Sequence, residues 1–507
     1  MKKIILLFIG ISFIYACSSD KKTAQVVEQH RPQFHFTPKT GWMNDPNGMV
    51  YFKDEYHLFY QYYPDSTVWG PMHWGHAVSK DLMHWEHLPI ALYPDSLGYI
   101  FSGSAVVDEN NTSGFGKDGE PPLVAMFTSH YMAGEKAGRT DYETQSIAYS
   151  VDAGRTWTKY ANNPVIKNQG TKDFRDPKVM WHEASKQWIV TLAVADHAEF
   201  YASKNLKDWT KTGEFGKTEG AHGGVWECPD LFPLKIDGNG AEKWVLIVNI
   251  NPGGPNNGSA GQYFIGEFDG KTFKNDNKPT DTFWIDHGTD NYATVTWFGA
   301  PANRRISLGW MSNWQYANKV PTVAWRSATT LPRELSLKTT PQGIRLVQKA
   351  VKETEILRGA SQDISEQTIS ESLNLKPTTT TNELSLTFDL SKTTAEDLGV
   401  VLSNSKGEKV LIGFEKTTNR FYIDRTEGGK LGFEKGFAGR HYAPHTSTGN
   451  VLTMHLYIDV ASVELFTDDG ETVMTDIFFP NEDFNALAVF SKNGIAQLTS
   501  GKIWALK

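Results

Sequence analysis

Three short acidic motifs are where this sequence could do chemistry. The first is Trp42-Met43-Asn44-Asp45-Pro46-Asn47-Gly48, in which Pro46 pushes Asp45 towards extended geometry and Asn47-Gly48 can supply the positive φ of a sharp turn. A carboxylate held this way acts from a fixed direction. The second is Asp173-Phe174-Arg175-Asp176-Pro177, again an Asp ahead of a Pro, with the Arg175 guanidinium beside it to keep Asp176 ionised. The third is Trp226-Glu227-Cys228-Pro229-Asp230, where the apolar bulk of Trp226 and Cys228 is expected to raise the Glu227 pKa and keep it protonated. Alone, Asp45 would read as a surface turn. Together, two charged carboxylates and one acid match glycoside cleavage, which needs one group to attack the anomeric carbon or activate water and another to protonate the leaving oxygen.

These residues are far apart in the chain, so the fold must gather them. From about Phe34 to about Leu337 the sequence consists of short runs rich in β-branched and aromatic residues, separated by Gly, Pro, Asn and Asp, with almost no helical periodicity. A motif recurs within it: Ser79-Lys80-Asp81-Leu82-Met83-His84-Trp85, Ser150-Val151-Asp152-Ala153-Gly154-Arg155-Thr156-Trp157 and Ser203-Lys204-Asn205-Leu206-Lys207-Asp208-Trp209. Its tryptophans are spaced 72 and 52 residues apart. Repeats of this length in an all-β region indicate a propeller, and about 300 residues make roughly five blades. Asp45, Asp176 and Glu227 are separated by 131 and 51 residues, a blade-like scale, so different blades can bring them to one funnel at the axis.

In this order the three motifs resemble those of the glycoside hydrolase family of invertases, levanases and inulinases, the retaining β-fructofuranosidases. Further matches are Phe59-Tyr60-Gln61, Trp69-Gly70, His73-Trp74-Gly75-His76, Phe101-Ser102-Gly103-Ser104, Gly309-Trp310-Met311-Ser312-Asn313-Trp314 and Leu331-Pro332-Arg333-Glu334-Leu335, so the resemblance covers residues 30–507. It implies an all-β chain, a five-bladed β-propeller followed by a C-terminal β-sandwich. It further implies that Asp45 is the nucleophile, Glu227 the acid and base, and Asp176 a binder of sugar hydroxyls, with Trp42, Asn44, Gln61, Trp69, Phe101, Ser102, Arg175 and Trp314 at the substrate. The implied substrate is a fructan, levan or inulin, or sucrose, with no cofactor and no metal. The alternatives are a related propeller hydrolase acting on arabinose-containing glycans, a fructosyltransferase, and a non-catalytic glycan-binding lipoprotein.

The expected organisation is a lipoprotein-type signal peptide over 1–17, a tether over 18–30, the propeller over 31–340, a linker over 341–360 and the sandwich over 361–507. Met1-Lys2-Lys3 and the apolar run Ile4 to Tyr15 read as a secretory signal, too short to span a bilayer. Ala16-Cys17-Ser18-Ser19-Asp20 resembles a bacterial lipoprotein processing site, although Tyr15 departs from the usual small residue. Cys17 is then the lipid anchor of an exported, membrane-attached protein, at the cell surface or the periplasmic face of an outer membrane. Only Cys228 remains beside it, so no disulfide framework is expected. The net charge of −8 and the lack of a basic stripe speak against a nucleic-acid partner.

The linker is the one place with a helical face, formed by Leu346, Val347, Ala350 and Val351. Glu464 reads as a solvent-side strand residue. His73, His76, His84 and His87 have the spacing of metal ligands, but structural histidines are the better reading in strand-rich sequence. The segment Asn251 to Gly258 reads as a long loop, of the kind that shapes a binding pocket in a propeller.

Overall fold

The computed structural model describes residues 28–507; Cys17, the leader and most of the expected tether lie outside them. Five sheets follow one another along the chain, as the repeat spacing predicts, each antiparallel except that the first also takes the short parallel strand Trp325–Arg326, and two further sheets form the C-terminal part. The first strands of the five sheets, Gly41–Phe52, Tyr99–Val107, Phe174–His182, Val225–Lys235 and Tyr292–Thr296, touch one another in ring order. They are the innermost strands of a five-bladed propeller. Strands of each blade are packed on both faces by neighbouring blades, so they run apolar without alternation: Leu123–His130 and Ile306–Met311 are buried along their whole length. The ring closes where Phe298 N–H donates to Met49 O and Tyr51 N–H to Phe298 O, both at 2.9 Å.

The Ser-to-Trp repeat is one turn used three times. In each copy the serine ends the third strand of its blade, and the Trp indole N–H reaches back across the turn: Trp85 to Leu82 O, Trp157 to Gly154 O and Trp209 to Leu206 O, each at 3.0 Å. Leu82, Ala153 and Leu206 take positive φ values of 67°, 55° and 62° at the same place. The indole bond and the Asp or Asn cap that the Ser hydroxyl orients offset that strain.

Two expectations fail at the boundary. Residues 343–350 form no helix; Gly343–Ala350 is the outer strand of the fifth blade, paired in register with Arg333–Thr340, and Lys352–Leu357 is a short 3₁₀ turn. Its apolar spacing served a strand, because Leu346 packs in the core of the blade while Ala350, at the strand's end, and Val351 just beyond it join a different cluster. From Arg358 the strands join a sandwich of seven- and six-stranded sheets around Leu384, Phe388, Val400, Ile412, Leu456 and Val489.

Glu464 is the second correction. It is fully buried, and it accepts hydrogen bonds from Arg333 Nη2 at 2.6 Å and Leu331 N–H at 2.7 Å and meets His35 Nε2 at 2.9 Å. Arg333 also reaches Asp286 at 2.9 Å, and His35 Nδ1 lies 2.8 Å from Asp459. The sandwich therefore docks on the propeller through a dry ionic seam, to which Arg425 and Asp290 add a second pair at 2.7 Å. Breaking such a pair strands a charge, so Glu464→Gln is expected to cost about 3–5 kcal/mol, read as a lower unfolding midpoint.

His35 makes the seam sensitive to pH. Burial works to discharge it, but Asp459 and Glu464 outweigh burial and raise it from 6.5 to about 9. A folded pKa above the unfolded one gives stability that is complete below pH 6.5 and lost as pH rises through about 9. Melting curves taken across that window should fall with pH in the wild type and fall less in His35→Gln.

Candidate active site

The three acids meet at one end of the propeller axis, each on the first strand of a different blade. None of the strands is regular there. Pairing registers shift between Met43 and Pro46, between Thr191 and Ala193 opposite the Asp176 strand, and between Glu227 and Asp230. Asp176 and Cys228 take φ values of 64° and 45°, which only a bulged strand accepts for such residues. These bulges turn the side chains towards the axis. Gly48, at a φ of 52°, has no room for a side chain, since a Cβ there would lie 2.6 Å from the Phe59 ring and 2.8 Å from that of Trp74.

Asp45 is held through one oxygen. Its Oδ2 accepts from Ser102 Oγ at 2.6 Å and lies 3.6 Å from the Cys228 sulfur, while Oδ1 is buried and accepts no hydrogen bond. Asn47 binds the Asp45 carbonyl at 2.9 Å and takes the Gly103 N–H at 3.0 Å, locking the turn to the second blade. Glu227 is held through both oxygens: Arg175 Nε and Nη2 donate to Oε1 at 3.2 Å each, and the Tyr292 hydroxyl donates to Oε2. Burial raises its pKa, Arg175 and Tyr292 pull it down, and the charge of Asp45 adds to the rise. Asp176 Oδ2 accepts the Cys228 N–H at 2.9 Å and faces the same sulfur at 3.6 Å.

Two neighbour assignments from the sequence are exchanged in the molecule. Arg175 was expected to keep Asp176 ionised, yet its hydrogen bonds go to Glu227, Glu143 and Asp173. Asp176 is instead pushed up to about 8 by burial and by the charges of Glu227 and Asp45, which together exceed the pull of Arg175. Trp226 and Cys228 were expected to flank Glu227. Trp226 points away, packing with Phe264 between blades, and the Cys228 thiol serves the two aspartates. Burial at the funnel floor, not its sequence neighbours, raises the Glu227 pKa. Asp176→Asn removes one of three crowded carboxyls and is expected to raise the unfolding midpoint at pH 7 by a few degrees while activity falls, a trade that calorimetry and rate assays on one sample can check.

The acids line a cavity of about 210 Å³ whose walls include Asn44, Gln61, Trp69, Phe101, Ser102, Arg175 and Trp314, all expected from the sequence. Trp42 is the exception. It is fully buried behind the wall, stacked on Trp314 at 5.9 Å, and its indole N–H fixes Asn44 Oδ1 at 2.7 Å, so it supports the pocket without reaching it. Phe101 lies flat on His130, with centroids 4.1 Å apart and planes at 9°. Trp69 packs edge-on to Phe101 at 6.0 Å. Aromatic faces beside hydroxyl-binding polar groups suit a sugar ring.

Sequence reasoning missed His130, Glu135, Glu143 and Tyr292, which meet at this pocket or touch its acids. His130 and Glu143 face each other across an antiparallel hairpin, a pairing visible only once its register is known. The Asn251 to Gly258 loop lines no part of the cavity; Asn256 reaches the carbonyl of Tyr442 at 3.0 Å, and the adjoining Ser259 Oγ accepts the Trp314 N–H at 3.4 Å. It joins the two parts and backs one pocket wall. The four paired histidines occupy unlike environments: His76 bonds His57 at 3.1 Å, His73 bonds Pro71 O, His84 bonds Asp81 and His87 stacks on Phe36.

Residues 35–350 match the model of the glycosyl hydrolases family 32 N-terminal domain, and residues 353–505 match that of the family 32 C-terminal domain. The chain is 49% identical to the levanase of Bacillus subtilis (strain 168), over 95% of this chain and 71% of that protein. It is 40% identical to the extracellular exo-inulinase of Aspergillus awamori, over 100% of this chain and 98% of that protein. The crystal structure of the exo-inulinase from Aspergillus awamori superposes with a TM-score of 0.88 at 38% identity, covering 95% of this chain and 99% of that one. The β-fructofuranosidase from Schwanniomyces occidentalis complexed with fructosyl-erythritol superposes at 0.86 with 34% identity, over 94% and 98%.

Proposed function

The chain belongs to glycosyl hydrolase family 32, and from that premise we propose that it hydrolyses β-fructofuranosidic bonds in fructans by double displacement. The observation that carries the mechanism is the contrast between two carboxyls in one cavity. Asp45 presents a buried, unpartnered Oδ1, and Glu227 has its pKa raised by burial, in the direction a proton donor needs. Asp45 Oδ1 attacks the anomeric carbon while Glu227 gives its proton to the leaving oxygen, forming a fructosyl ester on Asp45. Glu227, now a carboxylate braced by Arg175 and Tyr292, takes a proton from water, which attacks the same carbon and frees Asp45. Asp176 binds sugar hydroxyls from the floor, with Asn44, Gln61, Trp69, Phe101, Ser102, Arg175 and Trp314 around the ring.

The substrate class is supported by relatives whose names are levanase and extracellular exo-inulinase and which span nearly all of this chain. The extracellular name of the exo-inulinase, with the charged and apolar leader at Met1 to Tyr15, supports export. Attachment through a lipid on Cys17 rests on the Ala16-Cys17-Ser18 context alone.

Product chromatography tests the substrate. Levan, inulin, sucrose and arabinan are each incubated with protein beginning after Cys17, beside an Asp45→Ala control. Fructose or fructo-oligosaccharides from a fructan support the proposal. Release from arabinan alone, or silence on every fructan, overturns it.

A further inference from the structure

An arginine in contact with a general acid poses a difficulty, because a nearby positive charge favours the carboxylate and would leave no proton to donate. Arg175 puts two N–H groups on Glu227 Oε1 at 3.2 Å. Its other edge is occupied by anions. Nη1 donates to Glu143 Oε1 and Oε2 at 3.1 and 3.3 Å and to Asp173 Oδ1 at 2.8 Å. Glu143 is 1% exposed and is fixed from two further sides, by the Phe174 N–H at 2.7 Å and by His130 Nδ1 at 3.0 Å. His130 in turn meets Glu135 Oε2 at the rim, at 3.1 Å.

We propose that Glu143, with Asp173 beside it, is a positioning residue that holds Arg175 against Glu227 while cancelling its charge, so that Arg175 orients the acid without ionising it. The inference rests on Glu227 being the acid. The groups facing Glu227 are Arg175, Tyr292, Asp45, Asp176 and the Cys228 thiol; those facing Glu143 are Arg175, His130 with Glu135 beyond it, Tyr142 and Asp173. Among the first set Arg175 is the one cation, so its counter-charge decides how far the acid is pulled down. Burial opposes the ionisation of Glu143, but Arg175 and His130 outweigh it and hold the carboxyl below its ordinary range, so the counter-charge is present at working pH.

The test is a pH–rate profile. In Glu143→Gln the amide can still accept the Arg175 and Phe174 hydrogen bonds, but the charge is gone. The Glu227 carboxylate is then favoured, so the alkaline limb of kcat/KM on a fructo-oligosaccharide moves to lower pH. The ratio of variant to wild-type rate should drop by about tenfold between the acid and alkaline limbs, the equivalent of one pK unit. Glu143→Asp, which keeps the charge, should restore the wild-type limb. An aryl β-fructofuranoside with a good leaving group, which needs no acid, should show little of the pH-dependent loss. An unshifted limb, or an equal loss at every pH, overturns the proposal. Should Glu143→Gln fail to fold, Asp173→Asn, at a partly exposed site, must shift the limb the same way by a smaller amount, and no shift overturns the proposal. Failure of the underlying reading looks different: the wild type would not cleave fructan, or Glu227→Gln would keep its activity.

Discussion

Asp45→Ala is expected to abolish fructan hydrolysis, by about 10⁴-fold or more in kcat, while the protein stays folded and still binds its substrate. The magnitude follows from the loss of a covalent route, for which no neighbouring group substitutes. Asp176 Oδ2 is tied to the Cys228 N–H at 2.9 Å and carries a proton over most of the working range, pushed up to about 8 by burial and its neighbours. It is therefore a poor replacement nucleophile. Ser102, left without its acceptor, can turn to solvent, so the fold should tolerate the change. Single-turnover kinetics with fructan, beside an unfolding curve, check both halves of the expectation. Residual turnover within tenfold of wild type would remove Asp45 from the mechanism.

Glu227→Gln is expected to lower kcat on fructan by about 10²–10⁴-fold, the usual worth of general acid–base help. The loss must depend on the leaving group. A natural fructosyl oxygen leaves badly without a proton, whereas an activated aryl oxygen leaves unaided, so the first step on an aryl fructoside survives. The second step still lacks its base, and the fructosyl ester on Asp45 should accumulate, giving a burst of aryl alcohol followed by slow turnover. In the wild type, activity should fall as pH rises through the raised Glu227 value, since the acid is then discharged. Glu227→Gln should lose that alkaline limb. Equal losses on both substrates, with no burst, would mean that Glu227 binds without transferring a proton.

Much of the architecture was legible because it repeats. The Ser-to-Trp turn marks the end of the third strand in three blades, and its indole-to-carbonyl bond is a local feature that local sequence can specify. The strand Gly343–Ala350 was not legible, since a short apolar run fits a helix or a strand until the partner Arg333–Thr340 is known. Glu464 was misjudged for a related reason. Strand alternation says which residues share a face, but not that both faces of Ser462–Thr467 are covered, one by the sandwich core and the other by the propeller.

At the site, the pocket walls were legible through the family resemblance, whereas the electrostatics depend on burial and side-chain contacts that no local sequence carries. Assigning Arg175 to Asp176 and Cys228 to Glu227 assumed that neighbours in sequence face each other. In strands they alternate, and the bulges at Asp176 and Cys228 rearrange even that pattern. Trp42 was placed at the substrate because it shares a motif with Asn44, although its indole turns inward to fix that amide. His130 and Glu143 were invisible because their contact depends on a hairpin register and on no recognisable spacing.

If Asp45 is the nucleophile, the sugar passes through it as a covalent ester, and peptide mass spectrometry of the trapped enzyme detects that ester. Glu227→Gln is incubated with an aryl β-fructofuranoside, quenched in acid during slow turnover and digested. One fructosyl unit is expected on the peptide that carries Asp45, absent from the Asp45→Ala, Glu227→Gln double variant. A burst with no adduct, or an adduct on Asp176 or any other residue, would contradict it.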